Sequence, residues 1–126
     1  MSNVRKLVIN EIVVLDALKL TELCVAKGEA GAEALVGDVI ERLSIELNLV
    51  EQAYIAQDLS TLVTHAKALI PLANQIGMTT FAKVTEDVVQ CARAAEIMPL
   101  AATLSRLVRI ADKSLTTLWD MENITI

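Results

Sequence analysis

Aromatic side chains are almost missing: one Trp, one Tyr and one Phe make up 2% of 126 residues. A core must therefore be built from Leu, Val, Ile and Ala, the bulk of the 54% apolar share. Turn formers are equally scarce. Four glycines and two prolines leave too few breaks for the many short strands of a sandwich or barrel, and favour a few long helices. The single histidine and two cysteines exclude still more. Metal sites in helical bundles need several inward carboxylates and histidines at Glu-x-x-His spacing, and no such pair occurs. Cys24 and Cys91 stand alone, without a CxxC or a Cys/His cluster, and read as two buried reduced thiols. There is no glycine-rich phosphate loop, no G-x-S-x-G elbow and no Cys/His pair with an orienting acid. Ordinary enzymatic chemistry has no footing. No metal and no cofactor is expected, and haem ligation through His65 alone has no supporting motif.

Charge narrows the partners. The net charge is −5, and the 11 basic residues are spread out. Nucleic acid and anionic membrane surfaces both call for a basic face, so neither is an expected partner. The apolar run Leu7–Leu15 is interrupted by Asn10 and Glu11, well short of a signal or spanning segment. The expectation is a soluble cytoplasmic protein.

What the chain does contain is helical period. From about Ala32 to Gln57, Leu35, Val36, Val39, Ile40, Leu43, Leu47, Val50 and Tyr54 form one stripe, with Glu41, Arg42, Glu46, Glu51 and Gln52 on a solvated face. Asp58 then caps a second helix, in which Leu59, Leu62, Val63, Ala66, Leu69, Ile70, Ala73 and Ile76 recur at steps of three and four before Gly77 stops it. Met78-Thr79-Thr80 offers a hydroxyl cap for a third helix, striped by Phe81, Val84, Val88, Cys91 and Ala95. Pro99 suits the first turn of a fourth, which carries Leu100, Leu104, Leu107, Ala111, Leu115 and Leu118. Trp119 is placed at the base of the bundle, and 121–126 as a tail. Towards the N-terminus, Asp16 begins a shorter helix that Gly28-Glu29-Ala30-Gly31 ends in a turn, behind an arm or short helix over 1–14. The sum is all-α: one antiparallel up-down four-helix bundle with a short extra N-terminal helix, its core over about 15–119. The heptad-like seams also fit a homodimer.

The second helix carries the chain's only histidine and resembles a known motif. Ala66-x-x-Leu69-x-x-x-Ala73-x-x-Ile76-Gly77 is similar to the central helix of the histidine-containing phosphotransfer (HPt) domains of bacterial phosphorelays, which reads Ala-His-x-Leu-Lys-Gly-x-Ala-x-x-(Ile/Leu)-Gly. The order of helices around it agrees too. The resemblance implies a signalling domain that binds a response-regulator receiver domain or a histidine kinase, at most a phosphocarrier and not a multiple-turnover enzyme. In this register Lys67 occupies the phosphoacceptor slot, Ile70 replaces the family's lysine, and Pro71 replaces its glycine. His65 lies two residues earlier, roughly 200° around the helix. Three readings of His65 stay open: a boundary histidine beside Leu69, Leu72 and Ile76, a displaced phosphoacceptor, or a metal or haem ligand. The partner-binding surface implied lies around Lys67, Pro71 and Asn74. A degenerate, non-phosphorylatable domain of this kind is one expectation. The alternative is a structural or adaptor bundle that self-associates and has no link to phosphorelays.

Overall fold

The structure, a computed structural model, describes residues 17–124; at 17–21, 23, 24, 29 and 115–124 it describes the backbone alone. The expectations for the arm at 1–14, for Asp16 and for the side chains of Cys24, Leu115, Leu118 and Trp119 lie outside the described residues. Four helices follow one another: α1 (Ala17–Ile55), α2 (Leu59–Gln75), α3 (Thr79–Arg93) and α4 (Ile97–Ile124). No strand occurs among the described residues.

α1 contains the predicted N-terminal break in reduced form. The turn expected over residues 28–31 contracts to Gly28, whose φ of 75° and ψ of 167° interrupt an otherwise helical path. Glycine enters that positive-φ region without a Cβ clash, and Glu29 and Ala30 are good helix formers that resume the helix at once. The stretch before Gly28 is the short extra N-terminal helix. α4 differs at its other end: it runs to Ile124 and takes in most of the stretch read as a tail.

The three connections between helices share one construction. At each, the amide two residues past the helix cap reaches back to a carbonyl of the last turn: Asp58 N–H to Ala53 at 2.9 Å, Met78 N–H to Ala73 at 2.9 Å, Glu96 N–H to Cys91 at 3.0 Å. The amide before it closes a shorter loop, Gln57 to Tyr54, Gly77 to Asn74 and Ala95 to Ala92. These are Schellman motifs, which need a left-handed residue in the middle. Gly77 supplies one freely at φ 77°, whereas Gln57 (58°) and Ala95 (55°) adopt it with a side chain. Two of the three turns therefore carry no glycine signal in the sequence. Ala95 accordingly leaves the predicted α3 stripe and is exposed.

Such short links fold each helix back on the one before it, giving an antiparallel up-down bundle in which α1 packs on α2, α2 on α3 and α3 on α4. Tyr54 and Ile55 of α1 and Ala101, Leu104, Ser105 and Val108 of α4 border the groove between the first and last helices. Every member of the α2 stripe is in the core or packed against it, with Leu62, Ala66, Leu69, Ala73 and Ile76 fully buried. Phe81 is the largest fully buried side chain, so the one Phe serves the core. α3 is buried more broadly than its stripe predicts: Ala82, Thr85, Val89 and Ala92 join it because α3 packs against both α2 and α4. Thr85 and Ser114 are buried but their hydroxyls donate to the Phe81 and Ile110 carbonyls of their own helices. No buried side-chain nitrogen or oxygen among the described residues lacks a partner, as a stable interior requires. Among the described residues no helix is long and apolar enough to cross a membrane.

Candidate functional site

α2 is fixed at both ends before any chemistry is considered. Asp58 accepts a hydrogen bond from the Thr61 amide at 3.1 Å and another from the Thr61 hydroxyl at 2.6 Å. The Thr61 hydroxyl, and then its amide, hold the Asp58 carboxyl below the usual carboxylate range. The Schellman turn at Gly77 stops the other end. Between these caps the helical span includes Pro71 and continues to Gln75. α3, by contrast, is not capped by a hydroxyl: it starts at Thr79 with Met78 as cap residue and no side-chain cap bond.

On this helix the structure separates the predicted residues into two groups. Lys67, Pro71 and Asn74 are all exposed, at steps of four and three, so they lie along one outward face. His65 sits on the opposite shoulder of the buried stripe, half-buried beside α1. Its Nδ1 is 2.7 Å from Glu46 Oε2. Glu46 is thus not part of a freely solvated face: it points across the α1–α2 seam, and its side chain is 22% exposed against 28% for His65. That exposure leaves the pair partly screened by water.

The pair has a chemical consequence. An ionised carboxylate only accepts hydrogen bonds, so His65 Nδ1–H donates to Glu46. In the neutral ring the lone pair then resides on Nε2. Nε2 has no partner among the described residues, and no described buried nitrogen is unpaired, so Nε2 meets solvent. The reading of His65 as a histidine merely packed among leucines missed this partner. The signal for it is weak, because nothing in the sequence aligns Glu46 with His65, 19 residues away, except the antiparallel register.

Lys67 is different in kind. It has no ion-pair or hydrogen-bond partner among the described residues. One turn on, Pro71 has no N–H to give the Lys67 carbonyl, so that acceptor lacks its intrahelical donor on an outward-facing part of the helix. Among the described residues, Cys91 is half-buried rather than fully buried and forms no disulfide; its sulfur is 3.9 Å from the Thr103 hydroxyl. No group of three or more His, Cys, Asp or Glu side chains among the described residues could hold a metal ion.

No protein-family model and no curated protein sequence matches the chain. A solved structure does. The chain is similar to the crystal structure of histidine-containing phosphotransfer protein B from Pseudomonas aeruginosa PAO1, with a TM-score of 0.75 over 86% of this chain and 95% of that one, at 18% identity. At that identity the likeness establishes the fold: an HPt-like helical bundle.

Proposed function

We propose that this HPt-like bundle is a docking module of a bacterial phosphorelay, binding a response-regulator receiver domain, or a histidine kinase, through the exposed face of α2. The observation that carries the reading is the placement of Lys67, Pro71 and Asn74 together on that face, in the register where the resembling family presents its reactive histidine. With Lys67 in the place of the family's histidine, this face has no imidazole to take up a phosphoryl group, and it binds without doing so. Calorimetric titration with purified receiver domains tests this. Saturable binding that weakens when Asn74 and Pro71 are replaced by bulky Arg supports it; absence of binding to every receiver and kinase of the host's phosphorelays sinks it.

A second reading has its own support in the Glu46–His65 pair. The Nε2 lone pair could attack the phosphorus of an aspartyl phosphate in line. The phosphorus–oxygen bond breaks, the carboxylate leaves with its electrons, and the Nδ1 proton stays on its hydrogen bond to Glu46. The two readings use different sides of α2, since His65 and Lys67 are roughly 200° apart. Incubation with a labelled phospho-receiver separates them. Label that appears on wild type and Lys67→Ala but not on His65→Gln supports transfer; label absent from all three refutes it.

A further inference from the structure

The groove between the first and last helices is the open seam of the bundle. Helices adjacent in the chain pack closely on one another, whereas α1 and α4 do not. Tyr54, Leu104 and Val108 line this groove, with small Ala101 and Ser105 between them. At its mouth the apolar surface continues into solvent. Ile55 is itself a groove residue, and Met98 and Ile97 lie three and four residues before Ala101, on the same side of α4. Ile55, Met98 and Ile97 are 80%, 84% and 58% exposed. They are three of the five large apolar side chains exposed among the described residues, so apolar exposure is concentrated here. Charge is held to the two ends. Glu51 lines the groove one turn before Ile55, and Glu96 is exposed just before α4 begins. Further along α4, Arg106, Arg109 and Lys113 outnumber the one acid, Asp112. Arg109 is exposed, one turn past Ser105 on the groove edge.

We infer that this groove is covered by a second copy of the chain, in a twofold dimer that packs α4 antiparallel against α4. The charge pattern selects that occupant, because an isologous interface must be self-complementary. A twofold axis through the middle of the groove lays Arg109 of each copy against Glu51 of the other. A parallel pairing would set Arg109 against Arg109. The same operation lays Ile55, Ile97 and Met98 of one copy over Leu104 and Val108 of the other, and Ala101 and Ser105 at the centre let the two helices approach. A charge-free centre containing Tyr and Met inside a charged rim is the composition of an interface core. Size agrees as well. The exposed mouth amounts to roughly a few hundred Å², and a stable dimer buries about 800 Å² per partner, so mouth and groove must be buried together, as the antiparallel pairing does. The dimer is independent of the docking reading: α2 takes no part in it, and both its outward face and His65 stay open.

Sedimentation equilibrium of the full chain over a wide concentration series tests this. Wild type should move from 13.6 kDa towards twice that mass as concentration rises. Met98→Glu, at an exposed position, should weaken self-association at least about tenfold and leave the thermal midpoint unchanged. Arg109→Glu and Glu51→Arg should each weaken it similarly when studied alone. An equimolar mixture of these two variants should dimerise again, because only the mixed pair restores attraction at both cross-copy contacts. A wild-type mass of 13.6 kDa at every concentration overturns the dimer; a midpoint lowered by Met98→Glu would then assign the groove to the chain's own N-terminal residues. A wild-type dimer that Met98→Glu leaves intact, or a mixture that stays monomeric, overturns it too, by placing the contact elsewhere.

Discussion

At the scale of single residues, the side chains that matter are those whose surroundings set their protonation or their reach. Asp58 holds the start of α2 through two bonds from Thr61, and these lower its carboxyl below the usual value. A carboxyl whose folded-state value is depressed stabilises the fold above its unfolded value and loses that contribution as pH falls through the folded one. The window therefore opens near pH 4, the ordinary aspartate value, and extends downward. Asp58→Asn keeps a capping oxygen but cannot titrate. Its urea midpoint should fall less steeply than wild type's between about pH 5 and pH 2; parallel curves would show that the Thr61 bonds do not discriminate between the charged and neutral carboxyl. Glu46 and His65 show the complementary case, in which one bond of 2.7 Å selects which ring nitrogen faces water.

At the scale of the element, α2 combines a rule-abiding inner face with an outer face that departs from helix rules. The eight stripe positions could be assigned from their spacing because burial demands it. Pro71 follows no such demand. It is exposed, removes one hydrogen bond and crowds the preceding turn, at a cost of about 3 kcal/mol in a helix interior. Pro71→Ala restores the amide and should raise the thermal midpoint by several degrees, read by far-UV circular dichroism. An unchanged or lower midpoint would mean that the helix has already relaxed around the ring.

At the scale of the whole molecule, stability comes from a core of Leu, Val, Ile and Ala closed around Phe81, and the proposed function from the surfaces that core leaves outside. Two residues separate the extremes. Leu69 is fully buried, and Leu69→Ala should cost about 2–5 kcal/mol by lost transfer energy and a residual cavity. Lys67→Ala, at an exposed position, should stay within about 0.5 kcal/mol of wild type. Urea denaturation of both variants checks the contrast, and a large loss at Lys67 would place it in the structural framework. The same bundle exposes Ile55, Ile97 and Met98 at the end where α1 stops and α4 begins.

The amino-acid sequence by itself determined the helical class, the inner face of α2 and of α1 over 35–54, the caps at Asp58 and Gly77 and the outward position of Lys67, Pro71 and Asn74. Each is a matter of local period or local backbone preference, readable within one or two turns of helix. Tertiary structure decided the rest. The turns at Gln57 and Ala95 use left-handed residues that are not glycine, held by hydrogen bonds to the preceding helix. The double-sided burial of α3 depends on neighbours before and after it. The partner of His65 depends on the register of α1 against α2, which sets Glu46 opposite it across 19 residues of chain. No short-range pattern encodes that register; the packing of two stripes against each other does.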